Sequence, residues 1–218
     1  YGNTEKVINY NIEDYPYIYD PQHNTETTAG DILSYVFEGL TKLDAKGNPI
    51  PAVAQSWSNN GNVWTFKLRQ SAKWHNGDPV VAKDFVDAWE RALNPETTSD
   101  YSFLMYCIKG AQEYNEGTYK KFTSVGVRAI DNYTLQVTLK EPVIYFPSLV
   151  SFYTFYPQNT KFIKTLKDIE YGSSYSDILG NGAFKIYKSK NSDDLSLKKS
   201  DKYWNKGNIK VDTINFST

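Results

Sequence analysis

Within residues 51–93 the hydrophobic period changes from two to 3.6 across a pair of tight turns, and that change constrains the fold more than any other feature of the chain. In Val63, Trp64, Thr65, Phe66, Lys67, Leu68 and Arg69, apolar and polar residues alternate, as they must in a strand with one buried and one wet face. Asn59-Asn60-Gly61 before this run and Asn76-Gly77 after it tolerate positive φ, so each predicts a tight turn. From Val81 the spacing becomes helical. Val81, Phe85, Trp89 and Leu93 recur every four residues, with Lys83, Asp87, Glu90 and Arg91 expected away from that face. Asn94-Pro95 ends the helix.

Residues 6–11 read as a first strand, Tyr19-Asp20-Pro21 as a turn, and 28–37 as a helix with Thr27 or Thr28 as its cap. A helix is expected over 101–119, with Leu104, Cys107, Ile108 and Ala111 on one face, which makes Cys107 a buried, inert thiol rather than a nucleophile. Residues 125–139 alternate around Asp131-Asn132 and predict a second hairpin. Pro142, Pro147 and Pro157 make 141–157 a poor regular element, with a short helix at 145–150 and a strand at 152–156. A helix follows at 161–170. The glycines of Leu179-Gly180-Asn181-Gly182 allow a close backbone approach before a strand, and further strands are expected at 195–199 and 211–216.

With 24 basic and 25 acidic residues, the net charge of -1 lacks the footprint of a nucleic-acid binder. One cysteine forbids an internal disulfide, and His23 and His75 lie too far apart for metal-ligand spacing, so no metal or cofactor is expected. No apolar run approaches the roughly 20 residues that cross a bilayer. The chain begins at Tyr1 without a signal segment, so export would require that segment to have been removed. Enzyme signatures such as G-x-S-x-G, H-E-x-x-H and the Walker loop are absent. His75, the one candidate base, is expected to be structural or solvent-facing, and Asp193-Asp194 to be a solvated turn. The 18 tyrosines suit a surface that grips varied ligands, although most are expected to be core or strand-face rings.

The run AQSW at 54–57, followed by NVWTFKLRQSAKWHNGDPVVAKDFVDAWERAL at 62–93, resembles the signature of the family 5 extracytoplasmic solute-binding proteins. These are the dipeptide- and oligopeptide-binding receptors of bacterial ABC importers. Tyr19-Asp20-Pro21, Phe37-Glu38-Gly39-Leu40, the 179–186 element and Asp201-Lys202-Tyr203-Trp204-Asn205 stand where that family has related motifs. Two positions depart from the pattern. Asn76 replaces a turn Asp, and Val81 replaces a capping Thr, a loss of about 0.5–2 kcal/mol unless Asp78 or Asp84 compensates.

The resemblance implies a mixed α/β fold of the periplasmic-binding-protein-like type II class. Residues 1–37 and 158–218 would form one discontinuous lobe, 38–157 an inserted smaller lobe, and the C-terminal lobe would be absent, as in a fragment. It implies a non-enzymatic peptide receptor, a monomer at the extracytoplasmic face or lipid-anchored there, which delivers oligopeptides to a membrane ABC permease. Asn24, Thr25, Glu26 and Thr27 line up with the irregular strand whose main chain pairs with the peptide, and Tyr101 with a tyrosine that contacts it from the inserted lobe. The groups that meet the peptide termini would lie in the absent half. Relatives specific for nickel, haem, opines or sugars share the fold, and an interaction module that kept one half of it is a third reading.

Overall fold

The computed structural model describes residue 2, residues 4–188 and residues 194–218. Its described strands form three sheets. The first takes β1 (Val7–Asn11) from one end of the sequence and β8 (Phe184–Lys188), β9 (Leu195–Lys199) and β10 (Thr213–Ser217) from the other. Its order is β1-β10-β9-β8, with β1 parallel to β10 and the other pairs antiparallel. The second is a small ribbon of β2 (Thr41–Leu43) and β3 (Pro49–Pro51). The third, ordered β4-β5-β7-β6, is built from β4 (Ala54–Asn60), β5 (Val63–Leu68), β6 (Val127–Asp131) and β7 (Thr134–Thr138).

The expected hairpins are present. Gly61 (φ +59) and Gly77 (φ +93) occupy the left-handed conformation that their turns require. Trp64, Phe66 and Leu68 of β5 are buried, and their alternation sends two rings against Phe146 at centroid separations of 5.9 and 6.1 Å. Helix α2 (Ala82–Leu93) packs on β6 and β7 with Phe85, Trp89 and Leu93 fully buried. Val81 offers no capping oxygen, and Asp84 takes up part of the duty: its Oδ2 accepts from the Val81 N–H at 3.0 Å and from Trp74 Nε1 at 2.9 Å.

Several expectations are corrected. Helix α1 spans Thr27–Val36 and is entered through Glu26, so neither Thr27 nor Thr28 caps it. The helix expected over 101–119 is instead a 3-10 turn (Ser102–Met105) and the short α3 (Ala111–Asn115). Gly110, at φ +79, interrupts it, and the backbone of 107–109 bonds to the end of β7, with Ile108 bridging Leu139 and Lys109 N–H donating to Thr138 O. Cys107 therefore stands in a turn, half-buried, with its thiol pushed up to about 11 by burial. The expected strand at 152–156 is a 3-10 turn (Tyr153–Phe155), because side chains rather than a neighbouring strand take its carbonyls. Gln22 Nε2 donates to Thr154 O and Tyr156 O, and Trp89 Nε1 to Phe155 O. Helix α4 is Phe146–Leu149. Helix α5 stops at Thr165 (Thr160–Thr165), just before Lys167 turns left-handed at φ +53. Arg91 is largely buried rather than solvated. Asp193 lies outside the described residues, while Asp194 is exposed and accepts from the Tyr15 hydroxyl.

The glycine pair does what its spacing predicts. A Cβ on Gly180 would lie 2.2 Å from Val36 O, and one on Gly182 would lie 2.6 Å from Tyr35 O, so only glycine lets the segment before β8 run against the end of α1. His75 clasps the same segment. Its N–H donates to Gly180 O and its Nε2–H to Gly182 O, both at 2.9 Å, which fixes a neutral tautomer. Burial pushes its pKa down to about 4.

Because His75 is depressed in the fold from its ordinary 6.5, the unfolded chain binds more protons between those values, so stability falls on acidification from about pH 6.5 towards 4. The full effect is about 3 kcal/mol. Asp84, which burial raises to about 6, works in the opposite sense over much of the same range. The effect of His75 is therefore read as the difference between wild type and His75→Gln in urea unfolding at pH 7 and pH 4.5. The wild-type advantage should shrink on acidification, and a pH-independent difference would refute the buried neutral imidazole.

Candidate functional site

The segment that enters α1 and the turn around Tyr153 both line an open cleft of about 770 Å³. Thr25, Thr27, Asp31 and Ser34 contribute from α1 and the segment before it, and Tyr101, Phe152, Tyr153 and Tyr156 contribute rings. Gly30 lets the helix and the aromatic side approach, since a Cβ there would stand 3.0 Å from the Tyr153 ring. The rings brace one another. Tyr101 meets Phe152 edge-on at 5.6 Å and Tyr153 at 6.2 Å, and Phe152 and Tyr153 lie 4.1 Å apart.

The 20–26 segment is tethered from behind. Asn24, buried, closes its own turn by accepting from the Glu26 N–H and donating to Glu26 O, each at 3.0 Å. Asp20, fully buried, receives Arg91 Nη1 at 2.7 Å and Arg91 Nη2 at 2.5 Å, and His23 Nδ1 lies 3.0 Å from its Oδ2. Burial pushes the Asp20 carboxyl up, but the Arg91 charge and bonds, with His23, more than offset it and leave the pKa below the usual range. His23 is held up chiefly by its bond to Asp20, and its Nε2 also faces Thr97 O. Both ring nitrogens thus face acceptors, the arrangement of an imidazolium. Tied down in this way, the chain presents residues 25–27 to solvent. Among the described residues, neither the N–H nor the C=O of Thr25 has a hydrogen-bond partner.

Of the residues singled out from sequence, Thr25, Thr27 and Tyr101 come together around the cleft. Asn24 and Glu26 do not line it. The side chain of Asn24 is engaged in its own turn, and Glu26 is exposed beside the cleft.

At the cleft floor lies a cluster that sequence reasoning missed. Glu38 accepts from the Tyr203 hydroxyl and from Trp204 Nε1 (2.8 Å), and Asn181 pins the Glu38 main chain by two bonds of 2.9 Å. The Arg69 guanidinium stacks 3.8 Å over the Trp204 ring. Burial raises the Glu38 carboxyl above its usual range despite these donors and the Lys42 and Arg69 charges. Burial likewise keeps Tyr153 protonated, pushed up to about 12, and shifts Tyr156 and Tyr203 upward. Two motifs noted separately, Phe37-Glu38-Gly39-Leu40 and Tyr203-Trp204, thus meet in space, although nothing in their separation along the chain announces it. The cleft offers ring faces, hydroxyls and open main chain, with the ionisable side chains of Asp31, Glu38 and Lys42 also in its lining. Neither histidine lines it, so it holds no histidine base beside a nucleophile.

The sequence profile described as bacterial extracellular solute-binding proteins, family 5 middle, matches residues 48–218. The chain is 39% identical over 215 residues to the dipeptide-binding protein DppE of Bacillus subtilis, covering 98% of this chain and 39% of that protein. It is 37% identical over 203 residues to the periplasmic oligopeptide-binding protein OppA of Escherichia coli, covering 90% and 36%. Among solved structures, the substrate-binding domain of an oligopeptide ABC transporter from Bacillus anthracis superposes with a TM-score of 0.93 at 41% identity, covering 99% of this chain and 42% of that one. Listeria monocytogenes OppA bound to peptide gives 0.93 at 34% identity, covering 99% and 43%. The chain spans about two fifths of the length of these relatives.

Proposed function

The chain belongs to the bacterial extracellular solute-binding proteins of family 5, and from that premise we propose that it supplies one wall of a cleft that binds extended oligopeptides. The observation that carries this reading is the unpaired main chain of Thr25, held in the lining of a cleft that Tyr101, Phe152, Tyr153 and Tyr156 also line. A peptide in extended form can add to such an edge by backbone bonds, which give affinity, while pockets for its alternate side chains give specificity. Thr25, Thr27 and Tyr101 are the contacts proposed here, with Asn24 and Glu26 shaping the strand.

The lobe division proposed is 1–37 with 158–218, and 38–157 inserted. A first sheet drawn from both chain ends and a third drawn from 54–138 support it. The additional length that the relatives possess provides the opposite wall, and closure of the two walls captures the ligand for a membrane ABC permease. The protein works as a monomer at the extracytoplasmic face and carries out no chemistry on its ligand.

Calorimetric titration with tri- to pentapeptides tests this. A version extended to the relatives' full length should bind at least about 100-fold more tightly than this chain by itself. Tyr101→Ala in the extended version should weaken binding about 10-fold while costing only about 1 kcal/mol of stability. Equal affinity of the short and extended proteins would sink the two-wall reading.

A further inference from the structure

Beyond Tyr101 the cleft opens into a second depression, of about 570 Å³, that shares Leu43, Tyr101, Ser151 and Phe152 with it. No charged side chain lines this depression. The Ser151 hydroxyl is already committed, donating to Ser148 O at 2.6 Å. Phe103 and Tyr145 line the depression and not the main cleft, and they stand 54% and 63% exposed. Rings left in water at the mouth of a binding cleft are apolar area available to a ligand.

We propose that this depression is a side-chain subsite that selects peptides carrying a bulky apolar residue, aromatic or branched aliphatic. The inference rests on the peptide-binding reading given above. In a strand-like ligand, side chains alternate between opposite directions. When the backbone pairs along residues 25–27, alternate side chains can reach the rings that the cleft and the depression have in common, Tyr101 and Phe152. Tyr101 is held in that position by edge contact with Phe152 and by Phe103, whose ring centroid is 6.1 Å away. It thus forms a shared partition between main chain recognition on one side and an apolar recess on the other. A charged side chain entering the recess would lose water without gaining a partner. The preference is therefore for apolar over charged as well as for large over small.

The test uses the version extended to the relatives' length and a set of equal-length alanine peptides, in which one position at a time is changed to Phe, Leu or Lys. At one position, Phe and Leu should bind about 30-fold more tightly than Ala, and Lys no better than Ala. In Phe103→Asp that advantage, read as the ratio to the all-alanine peptide in the same variant, should fall below about 3-fold. Tyr145→Asp, at a more exposed ring, provides the same readout should Phe103→Asp fail to fold. An apolar preference that survives in the variants overturns the subsite and leaves peptide binding intact. If no peptide binds the wild-type protein, the peptide-binding reading fails and takes the subsite with it. If Phe103→Asp changes the sedimentation coefficient and not the peptide preference, the depression is a contact between copies and the subsite is overturned.

Discussion

Arg91→Ala should destabilise the protein by about 3–5 kcal/mol, the range found when one partner of a buried ion pair is removed. The carboxylate left behind, Asp20, has no solvent exposure, and of its partners only the Gln22 N–H and His23, each at 3.0 Å, would remain. Gln22 Oε1 and Gln158 Oε1 also lose their donor, and the space under the Tyr171 ring, 5.0 Å from the guanidinium, is left unfilled. Replacing the pair together, as Asp20→Asn with Arg91→Met, should cost much less, because neither charge is then stranded. A single-variant loss below about 1 kcal/mol in urea unfolding would show that the pair is solvated. The effect should reach the cleft as well, since Asp20 and Gln22 anchor the segment that presents Thr25. In the extended protein, Arg91→Ala should weaken peptide binding under conditions where the protein remains folded.

Trp89→Ala should cost a similar amount, about 3–5 kcal/mol, by a different route. Trp89 is fully buried in α2, its ring meets Phe155 edge-on at 5.4 Å, and its Nε1 donates to Phe155 O at 2.9 Å. Truncation leaves a large apolar cavity and a buried carbonyl without its donor. Trp89→Phe separates the two losses. It retains most of the packing and forfeits the bond, for an expected cost of about 1–3 kcal/mol. Thermal unfolding should show the Ala variant about 8–16 °C below wild type. A midpoint shift within a degree would mean that the α2 stripe is not part of the core.

Strand and helix identity was most legible where burial is one-sided and the pattern local. The alternation in β5, the four-residue stripe of α2 and the turn glycines 61 and 77 all stand where their spacing places them. The reading failed where backbone groups find partners far away. The 101–119 run has helical apolar spacing, yet 107–109 bonds to β7 and Gly110 packs under Ser124, an arrangement no periodicity encodes. The strand expected at 152–156 gave way to a turn because Gln22 and Trp89 take its carbonyls from distant parts of the chain. Arg91 looked like a solvent-facing charge for the same reason: its partner, Asp20, is 71 residues away.

The amino-acid order by itself determined the local alternatives where burial is one-sided, the two glycines that permit close approach, and, through an ordered run of family motifs, the class of fold. The local outcomes follow from side-chain periodicity and backbone sterics, which act over a few residues, whereas the class of fold was implied by the family resemblance. Tertiary structure alone decided which segments meet. It brought Thr25 and Tyr101 into the lining of one cleft, joined Glu38 to Tyr203 and Trp204, and buried the Asp20 and Arg91 charges together. Such contacts depend on the packing of a whole core. The energy of each pairing exists only once both elements are already in place.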